Sequence, residues 1–323
     1  MALMRIASAL VTSLVLLSSP AYAQHGAPNG NCEIRRSDAC QAMVDIFGYL
    51  APQLGALTAG GDATLGQGGA LPGLGHVAVT IRMNALQASL PDVAGYTAGS
   101  TGQPQKIATR SVFFAAPAAD VAVGVYGGYP LGVTKVAALD VLFNGSFLPA
   151  FSAASTNLEL PNGSFNFGYG ARLGLLQEGL LTPGLSLTWI RHDLPLMNIR
   201  ARAANTTLNV DDIDVNSSSW RVVASKSLVA FSLAAGIGRD RYVSSATIYK
   251  FNGLPSTAIQ FPVRQDVGQT SYFGDVSTNV LFAKAIAEIG AVSGGNIRTY
   301  DTFGGKPAGA LRLYASLGVR VGI

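Results

Sequence analysis

The residues best suited to catalysis are the consecutive Arg191, His192 and Asp193, which lie near the end of a predicted strand. An imidazole with a carboxylate partner can act as a general base and activate a water molecule. Further carboxylates follow in the next predicted loop: Asp211, Asp212 and Asp214. Neighbouring residues on a strand point to opposite faces, so His192 and Asp193 are not expected to form a hydrogen-bonded pair. The pattern therefore favours a histidine at the rim of a sheet, with solvated carboxylates in the loop.

A serine nucleophile paired with a histidine is a second arrangement that could support hydrolysis. Ser186 and His192 lie on the same face of one predicted strand. Their separation of six residues corresponds to about 20 Å along a strand, which is too far for a pair. Serines on neighbouring strands could approach His192, but no motif selects one of them. A lipid hydrolase of this kind therefore stays an alternative.

Six charged or titratable residues are predicted to line the interior of the fold, because they fall on the face of the strands that carries small residues. They are His76, Arg82, Asp140, Arg172, Glu288 and Arg320. Buried charges persist only when they are paired, so these residues predict an ion-pair network that stiffens the fold. The functional alternative is a constriction whose charges select a permeating solute. The two roles are compatible with each other.

The two cysteines of the chain, Cys32 and Cys40, lie close together in the sequence. In an oxidising compartment such a pair predicts a disulfide. A metal site would need more ligands, and only His25 is nearby. The aspartates between positions 211 and 214 also lack the glycine and the distal glutamate of a calcium loop. We expect a disulfide here, and neither a metal nor a cofactor.

The first 23 residues have the organisation of a secretory signal peptide. Arg5 precedes an apolar run over residues 6 to 17, and Ala21 and Ala23 supply the small-x-small pattern of a cleavage site. The apolar run is short for a membrane-spanning helix. We therefore predict cleavage before Gln24, which exports the rest of the chain.

The composition is apolar without a helical membrane pattern. Charged residues make up 12% of the chain, against about 25% in soluble domains, and the mean hydropathy is +0.33. Beyond residue 23, however, no apolar run approaches the length of about 18 residues that marks a transmembrane helix. A β-barrel accounts for both facts, since each strand presents only alternate residues to lipid. The small excess of basic over acidic residues does not indicate a nucleic-acid partner.

From residue 76 onward the apolar residues recur every second position, as in β-strands. The final strand has the clearest apolar face: Leu311, Leu313, Ala315, Leu317, Val319, Val321 and Ile323. The opposite face of these strands is mostly Gly, Ala and Ser with scattered charges. Small residues of this kind suit the crowded interior of a narrow barrel better than open solvent.

Long and short gaps alternate between the predicted strands, as expected for a membrane barrel with long outer loops and short periplasmic turns. The longest gaps span residues 87–118, 194–218 and 240–269. We predict an all-β fold: a transmembrane antiparallel up-and-down β-barrel over residues 76–323, with ten strands and a range of eight to twelve. A wide general porin is disfavoured, because it needs about 16 strands.

The segment over residues 24–75 is predicted to be periplasmic and to carry a short amphipathic helix. Asp38 is a plausible N-cap, and an apolar stripe follows: Ala39, Met43, Ile46, Phe47, Leu50 and Leu54. A glycine-rich link, expected to be flexible, then leads to the barrel. The helix must bury its stripe against the barrel base, inside the lumen or on the membrane surface. Because ten strands enclose little space, we expect residues 39–57 to cap the periplasmic side in preference to full insertion.

The last strand also carries a family resemblance. Its alternation from residue 311 to the end resembles the assembly signal of bacterial outer-membrane β-barrel proteins, although Ile323 stands where an aromatic residue is usual. The resemblance covers roughly residues 76–323. It implies an outer-membrane location, lipid as a partner, recognition of the last strand by the barrel-assembly machinery, and N- and C-termini in the periplasm.

The expected function follows from this architecture. We expect a non-enzymatic barrel that is a narrow or plugged channel, binds a small solute or has a structural role. Ten-stranded outer-membrane proteases of the omptin type place a histidine with aspartate partners at the rim, but His192 and Asp193 depart from that pattern because they are adjacent. A rim enzyme, either omptin-like or a lipid hydrolase, and an adhesion barrel with interacting loops are the alternatives.

Overall fold

The computed structural model describes residues 26–33, 37–59, 61–153, 155–250, 259–295 and 297–323. The predicted signal peptide lies outside these residues. Two helices come first, α1 (Gly30–Glu33) and α2 (Asp38–Ala59). The strands are β1 (Val77–Asp92), β2 (Lys106–Tyr126), β3 (Tyr129–Leu131), β4 (Thr134–Val136), β5 (Ala138–Phe147), β6 (Phe151–Ala153), β7 (Thr156–Glu159), β8 (Phe165–Leu176), β9 (Gly184–Asp193), β10 (Met197–Arg202), β11 (Thr207–Ser227), β12 (Ser232–Lys250), β13 (Ile259–Val280), β14 (Ala283–Ser293), β15 (Thr302–Phe303) and β16 (Arg312–Gly322).

Ten strands close into an antiparallel barrel in the order β1-β2-β5-β8-β9-β11-β12-β13-β14-β16. Closure is complete because β1 pairs with β2 on one side and with β16 on the other. At this seam Val79 lies opposite Val321, and Met83 lies opposite Leu317. The predicted all-β barrel of ten strands with an N-terminal helix is confirmed.

The two ends of the barrel differ. At the end where β1 begins and β16 finishes, the connections over residues 127–137, 177–183, 228–231 and 281–282 are short, and we call it the turn end. At the opposite end, called the loop end, the connections over residues 93–105, 148–164, 194–206 and 294–311 are longer. The strands β6, β7 and β10 extend the sheet beyond β11 at the loop end. The predicted alternation of short and long connections is therefore present.

The outer surface of the barrel is apolar. Along β1 and β16 the exposed residues include Ile81, Met83 and Leu317, while their neighbours Arg82 and Gly318 face inward. On β8, Phe165 and Phe167 are about 70% exposed. A continuous apolar belt of this kind is stable only against hydrocarbon. The alternation thus confirms the predicted lipid-facing and lumen-facing sides.

Several wall strands are longer than the sequence predicts. The predicted loop over residues 87–118 contains the end of β1 and the start of β2, and β11, β12 and β13 occupy most of the gaps at 194–218 and 240–269. Towards the loop end, inward positions become large and apolar, as at Leu86 and Leu90, which are both fully buried. The inward face is no longer recognisable by its small residues there. The predicted strand boundaries were wrong for this reason.

The helix α2 lies inside the lumen in the half nearest the loop end. Gln53 exchanges hydrogen bonds with the backbone of Ser89 on β1. The Tyr49 ring stacks on Phe303 at 4.0 Å, and its hydroxyl donates to the carbonyl of Lys306. Neither helix of the described residues is long and apolar enough to cross a membrane.

This position corrects two expectations. The helix is fully inserted, whereas capping from the turn end was expected. The described chain also starts at the loop end, where the Gly26 amide donates to the Thr299 carbonyl, while Ile323 pairs with Val77 at the turn end. Residues at the two ends of the described chain therefore do not share one side of the barrel. The cause is the glycine-rich linker, residues 61–76, which runs the remaining length of the lumen.

Substitution of Leu317 tests the assigned faces. Leu317→Arg should lower the free energy of unfolding by about 2–4 kcal/mol if the residue lies near the bilayer midplane. Gly318→Leu should destabilise by a different cause, since even a Cβ at Gly318 would lie 2.7 Å from the Leu65 side chain in the linker. Equilibrium unfolding from phospholipid vesicles measures both, with Leu317→Ile as the control. A Leu317→Arg variant as stable as wild type would contradict the register.

Candidate functional site in the barrel lumen

The linker packs tightly between the barrel walls. Gly61 and Gly66 have backbone φ angles of +87° and +72°. Residues that carry a side chain rarely adopt such angles. A Cβ at Gly68 would lie 2.5 Å from the backbone nitrogen of Ser225, and one at Gly73 would lie 2.7 Å from that of Gly127. The expectation of a flexible link is therefore wrong. Its glycines let an irregular chain pass through a narrow space.

Arg172 on β8 provides the most enclosed contact with the linker. Its guanidinium bonds the Asp140 carboxylate on β5 at 2.6 Å, and both side chains are completely buried. The same guanidinium donates to the hydroxyl of Thr64 at 2.7 Å. The Asp140 carboxylate also accepts the backbone N–H of Leu71 at 3.1 Å. The ion pair thus holds the linker at two points.

Arg82 and Arg221 also pair with a carboxylate and hold the linker. Arg82 on β1 pairs with Asp120 and donates to the Asp62 carbonyl at 3.0 Å. Arg221 on β11 pairs with Asp240 at 2.7 Å. These two arginines and their carboxylate partners lie on four wall strands, β1, β2, β11 and β12.

The backbone carbonyls of the linker accept most of these bonds. Arg221 donates to the Gly61 carbonyl at 3.0 Å. Arg320 on β16 donates to the carbonyls of Thr64 and Leu65, and to the Gln67 side chain at 2.8 Å. We call Arg82, Arg172, Arg221 and Arg320 the arginine clamp.

Two carboxylates lie on the wall between Arg221 and Arg320. Asp275 on β13 and Glu288 on β14 are cross-strand neighbours in register, and both are buried. Glu288 accepts the backbone N–H of Asp62 at 2.7 Å. In the described part of the chain no group of three or more His, Cys, Asp or Glu residues has the arrangement of a metal site. The contact of Glu288 with the linker adds to the attachments made by the clamp.

Of the six residues predicted to line the interior, five are buried in the lumen. Arg82, Asp140, Arg172, Glu288 and Arg320 are all less than 9% exposed. Their proposed contact with a solute stays a prediction. His76 is different: it is exposed and lies just before β1 at the turn end. Its position in the alternation matches the inward face, but the ladder to β16 begins only after it.

His192 does not form the catalytic pair that its sequence context suggests. The imidazole is 2% exposed and faces the lumen, opposite Ser217 of β11. Asp193 and Arg191 are exposed on the outer face, where they pair with each other at 3.1 Å. Within the described residues neither imidazole nitrogen has a hydrogen-bond partner. As predicted, His192 and Asp193 point to opposite faces.

The other candidate residues are also separate from His192. Asp211 pairs with Arg200 on β10 at the loop end. Asp214 accepts a bond from Asn216. Ser186 faces the lumen on β9 nearer the turn end, and in the described chain its hydroxyl has no partner. No catalytic arrangement is brought together around His192 by these residues.

Sequence reasoning missed the carboxylates that neutralise the clamp, Asp120 and Asp240, as well as Arg221. A signal was available for all three. Asp120 and Ala122 are two residues apart, as are Gly238 and Asp240, so each aspartate falls on a small-residue face of the two-residue alternation. Arg221 alternates in the same way with Trp220 and Val222. The role of the linker as a hydrogen-bond acceptor had no sequence signal, because any backbone can supply carbonyls.

Carboxylates also attach the helix to the loops above it. Asp45 of α2 accepts the backbone N–H groups of Tyr300 and Asp301 at 3.1 and 2.8 Å. Burial raises the pKa of Asp45 to about 7 and that of Asp301 to about 6. Asp38 accepts bonds from Thr101 and Gly102. Polar contacts thus join α2 to two loops at the loop end, and we call this region the mouth.

The predicted disulfide is present. Cys32 of α1 and Cys40 of α2 are bonded, with Cα atoms 5.5 Å apart. Both residues are buried. The bond fixes α1 against the first turns of α2 at the loop end.

The closed sheet of ten strands and its apolar belt define the protein class. The fold is that of a bacterial outer-membrane β-barrel protein. No protein-family model matches the chain, and no curated protein matches it.

Among solved structures, the chain is similar to the translocator domain of the autotransporter NalP from Neisseria meningitidis. The identity is 11%, the match covers 91% of this chain and 99% of that one, and the TM-score is 0.40. It is also similar to the toluene transporter TodX of Pseudomonas putida, with 10% identity, coverage of 80% and 96%, and a TM-score of 0.28. A third is the toluene transporter TbuX of Ralstonia pickettii, with 12% identity, coverage of 83% and 92%, and a TM-score of 0.27. With TM-scores this low, no property of these proteins is transferred to the chain.

The enclosed ion pair gives a stability prediction. Arg172→Met leaves the Asp140 carboxylate buried without its partner and should lower the free energy of unfolding by about 3–5 kcal/mol. The double variant Arg172→Met/Asp140→Leu should recover part of this loss, because neither charge is then left alone. Denaturant unfolding of the refolded barrel measures both changes.

The matched control is Arg241→Met, which removes an exposed pair with Asp266 on the outer face. This variant should unfold at the wild-type denaturant concentration. An Arg172→Met variant that also unfolds there would show that the clamp does not stabilise the barrel.

The mouth gives a pH prediction. The pKa of Asp45 is raised from 3.8 to about 7 in the folded protein, so the folded state binds the proton more readily than the unfolded state. The stabilising contribution is present at acid pH and is lost as the pH rises to about 7. Hydrogen exchange in residues 38–50 and 297–309, corrected for its intrinsic pH dependence, should therefore be faster at about pH 8 than at about pH 5.

Asp45→Asn imitates the protonated carboxyl and should reduce this pH dependence. Equal protection of the two segments at both pH values in the wild type would contradict the prediction.

Proposed function

We propose that the protein is an integral outer-membrane barrel that is closed at rest by its own N-terminal segment. A path for a small polar solute opens in it only when the linker leaves the arginine clamp. The observation that carries this proposal is the clamp itself, in which arginines from four wall strands hold consecutive parts of an irregular chain across the lumen.

The helix is the fixed part of the closure. Its residues Met43, Ile46, Leu50 and Leu54 are at most 3% exposed and contact an apolar wall. Each such side chain contributes about 1.5–3 kcal/mol by its burial. Removal of the whole helix into water is therefore strongly unfavourable. The linker has few apolar contacts by comparison and is the part that can move.

A polar wall offers the route beside the helix. α2 packs mainly against β11, β12, β1, β2 and β13. The wall formed by β5, β8 and β9 carries Asn144, Asn166, Thr188 and His192, all buried and facing inward. In the described chain each of them has at least one polar atom with no hydrogen-bond partner. These groups could bind water or a polar solute once the linker moves aside.

The orientation of the barrel follows from the lengths of its connections. Short turns face the periplasm and long loops the exterior in barrels of this class. We therefore place the turn end in the periplasm and the helix α2 at the outer surface. Such an orientation puts the Cys32–Cys40 disulfide on the side exposed to the environment.

Single-channel recording in planar bilayers tests the proposal. The wild type should be silent or nearly so, because the linker fills the narrow part of the lumen. The double variant Arg172→Gln/Arg320→Gln should open frequently, since both substitutions remove hydrogen-bond donors to the linker while helix α2 stays in place. Arg241→Gln on the outer face is the matched control and should behave as wild type.

Two results would contradict the proposal. The first is steady conductance of the wild type, which would mean that the plug does not close the lumen. The second is silence of the clamp double variant when its heat-modifiable migration on gels shows that it is folded. The first result refutes closure, and the second refutes release of the linker.

A further inference from the structure

The turn end carries a ring of exposed apolar side chains. Every short connection at this end contributes to it, as does Leu74, three residues before the first strand. The members are Leu74, Leu131, Val133, Leu180, Leu181, Leu228, Val229, Leu281 and Phe282, and we call them the turn-tip ring. Seven of the nine are at least 82% exposed. A recurrent pattern over four separate connections is unlike the isolated exposed apolar residue that any surface tolerates.

The described connections at the loop end carry no such ring. Over the described residues of 93–105, 148–164, 194–206 and 294–311, the exposed large apolar side chains reduce to Leu311, which directly precedes β16. The connection over residues 251–258 lies outside the described residues. The turn tips are therefore more apolar than the described connections at the other end.

The ring continues the lipid-facing belt. On β8, Leu173 and Leu175 are exposed on the outer face, and Leu180 and Leu181 follow in the next turn. On β13, Val276 and Val280 lead in the same way to Leu281 and Phe282. The apolar surface therefore passes from the strands onto the turns.

At two neighbouring turns, residues 177–183 and 228–231, charged side chains of the protein bond the backbone. The Lys226 ammonium donates to the carbonyls of Gly179, Leu180 and Thr182 at 2.7–3.3 Å. The carboxylate of Glu178 accepts the backbone N–H of Ser227 in the neighbouring turn. Internal partners of this kind are required where water is scarce, because an unpaired backbone group in hydrocarbon costs several kcal/mol. A turn in open water would not need them.

We infer that the turn-tip ring inserts into the bilayer leaflet at the turn end and binds its interfacial hydrocarbon. Lipid is the occupant because the ring joins the lipid-facing belt and because two of its turns bond their backbone within the protein. The barrel then sits with its turns at headgroup depth rather than in the aqueous space. This inference does not depend on the proposed channel function.

Tryptophan fluorescence tests the depth of the ring. The two native tryptophans are first removed as Trp189→Phe/Trp220→Phe, and a single tryptophan is then placed by Leu181→Trp, Val229→Trp or Phe282→Trp. Each variant is refolded into phosphatidylcholine vesicles with brominated acyl chains. Leu317→Trp on the outer belt is the lipid control, and Gln103→Trp in an exposed loop is the aqueous control. Heat-modifiable migration on gels confirms that each variant is folded.

The expected result is loss of most of the emission of the three turn-tip tryptophans in brominated vesicles, with a blue-shifted maximum and little quenching by aqueous iodide. They should behave like Leu317→Trp and unlike Gln103→Trp. Iodide quenching equal to that of Gln103→Trp, without quenching by bromine, would overturn the inference. That outcome would place the ring in the aqueous phase.

Discussion

A guanidinium enclosed in the lumen of a narrow barrel needs more acceptors than one carboxylate can supply, because it carries five N–H donors. The linker has the complementary requirement, since its irregular backbone leaves carbonyls that no strand or helix satisfies. Arg221 meets both needs by pairing with Asp240 and donating to Gly61. Arg82 does the same with Asp120 and Asp62. The wall and the linker therefore stabilise each other, and neither is well solvated without its partner.

This exchange divides the lumen into two halves of opposite character. Near the loop end the part of the wall that α2 contacts is apolar, and the helix supplies its own backbone hydrogen bonds. Near the turn end the wall is charged, and it is filled by a chain whose backbone bonds are supplied by arginines. The change occurs where α2 ends and Gly61 begins. The wall thus offers donors where the enclosed backbone needs them, and apolar side chains where the enclosed helix makes its own hydrogen bonds.

The sequence predicts the wall of the barrel better than its contents. Alternation places Leu317 outward and Arg320 inward because a strand has only two faces. The number of strands and the pairing of Cys32 with Cys40 follow from local patterns in the same way. What fills the lumen is not a local property, so the insertion of α2 from the loop end could not be read from its apolar stripe. The same limit explains the boundaries, because a large apolar residue such as Leu86 suits an inward position only where the helix fills the lumen.

The clamp also connects the linker to the closure of the barrel. Arg82 lies on β1 and Arg320 on β16, the two strands that meet at the seam. Both donate to linker residues between Asp62 and Gln67, so the seam and the linker share their contacts. A seam that closed without the linker would leave two buried arginines short of acceptors, at a cost of about 1–3 kcal/mol for each unsatisfied group and more where the group is charged. The contacts of Arg82 and Arg320 with the linker therefore stabilise the seam and the plug together.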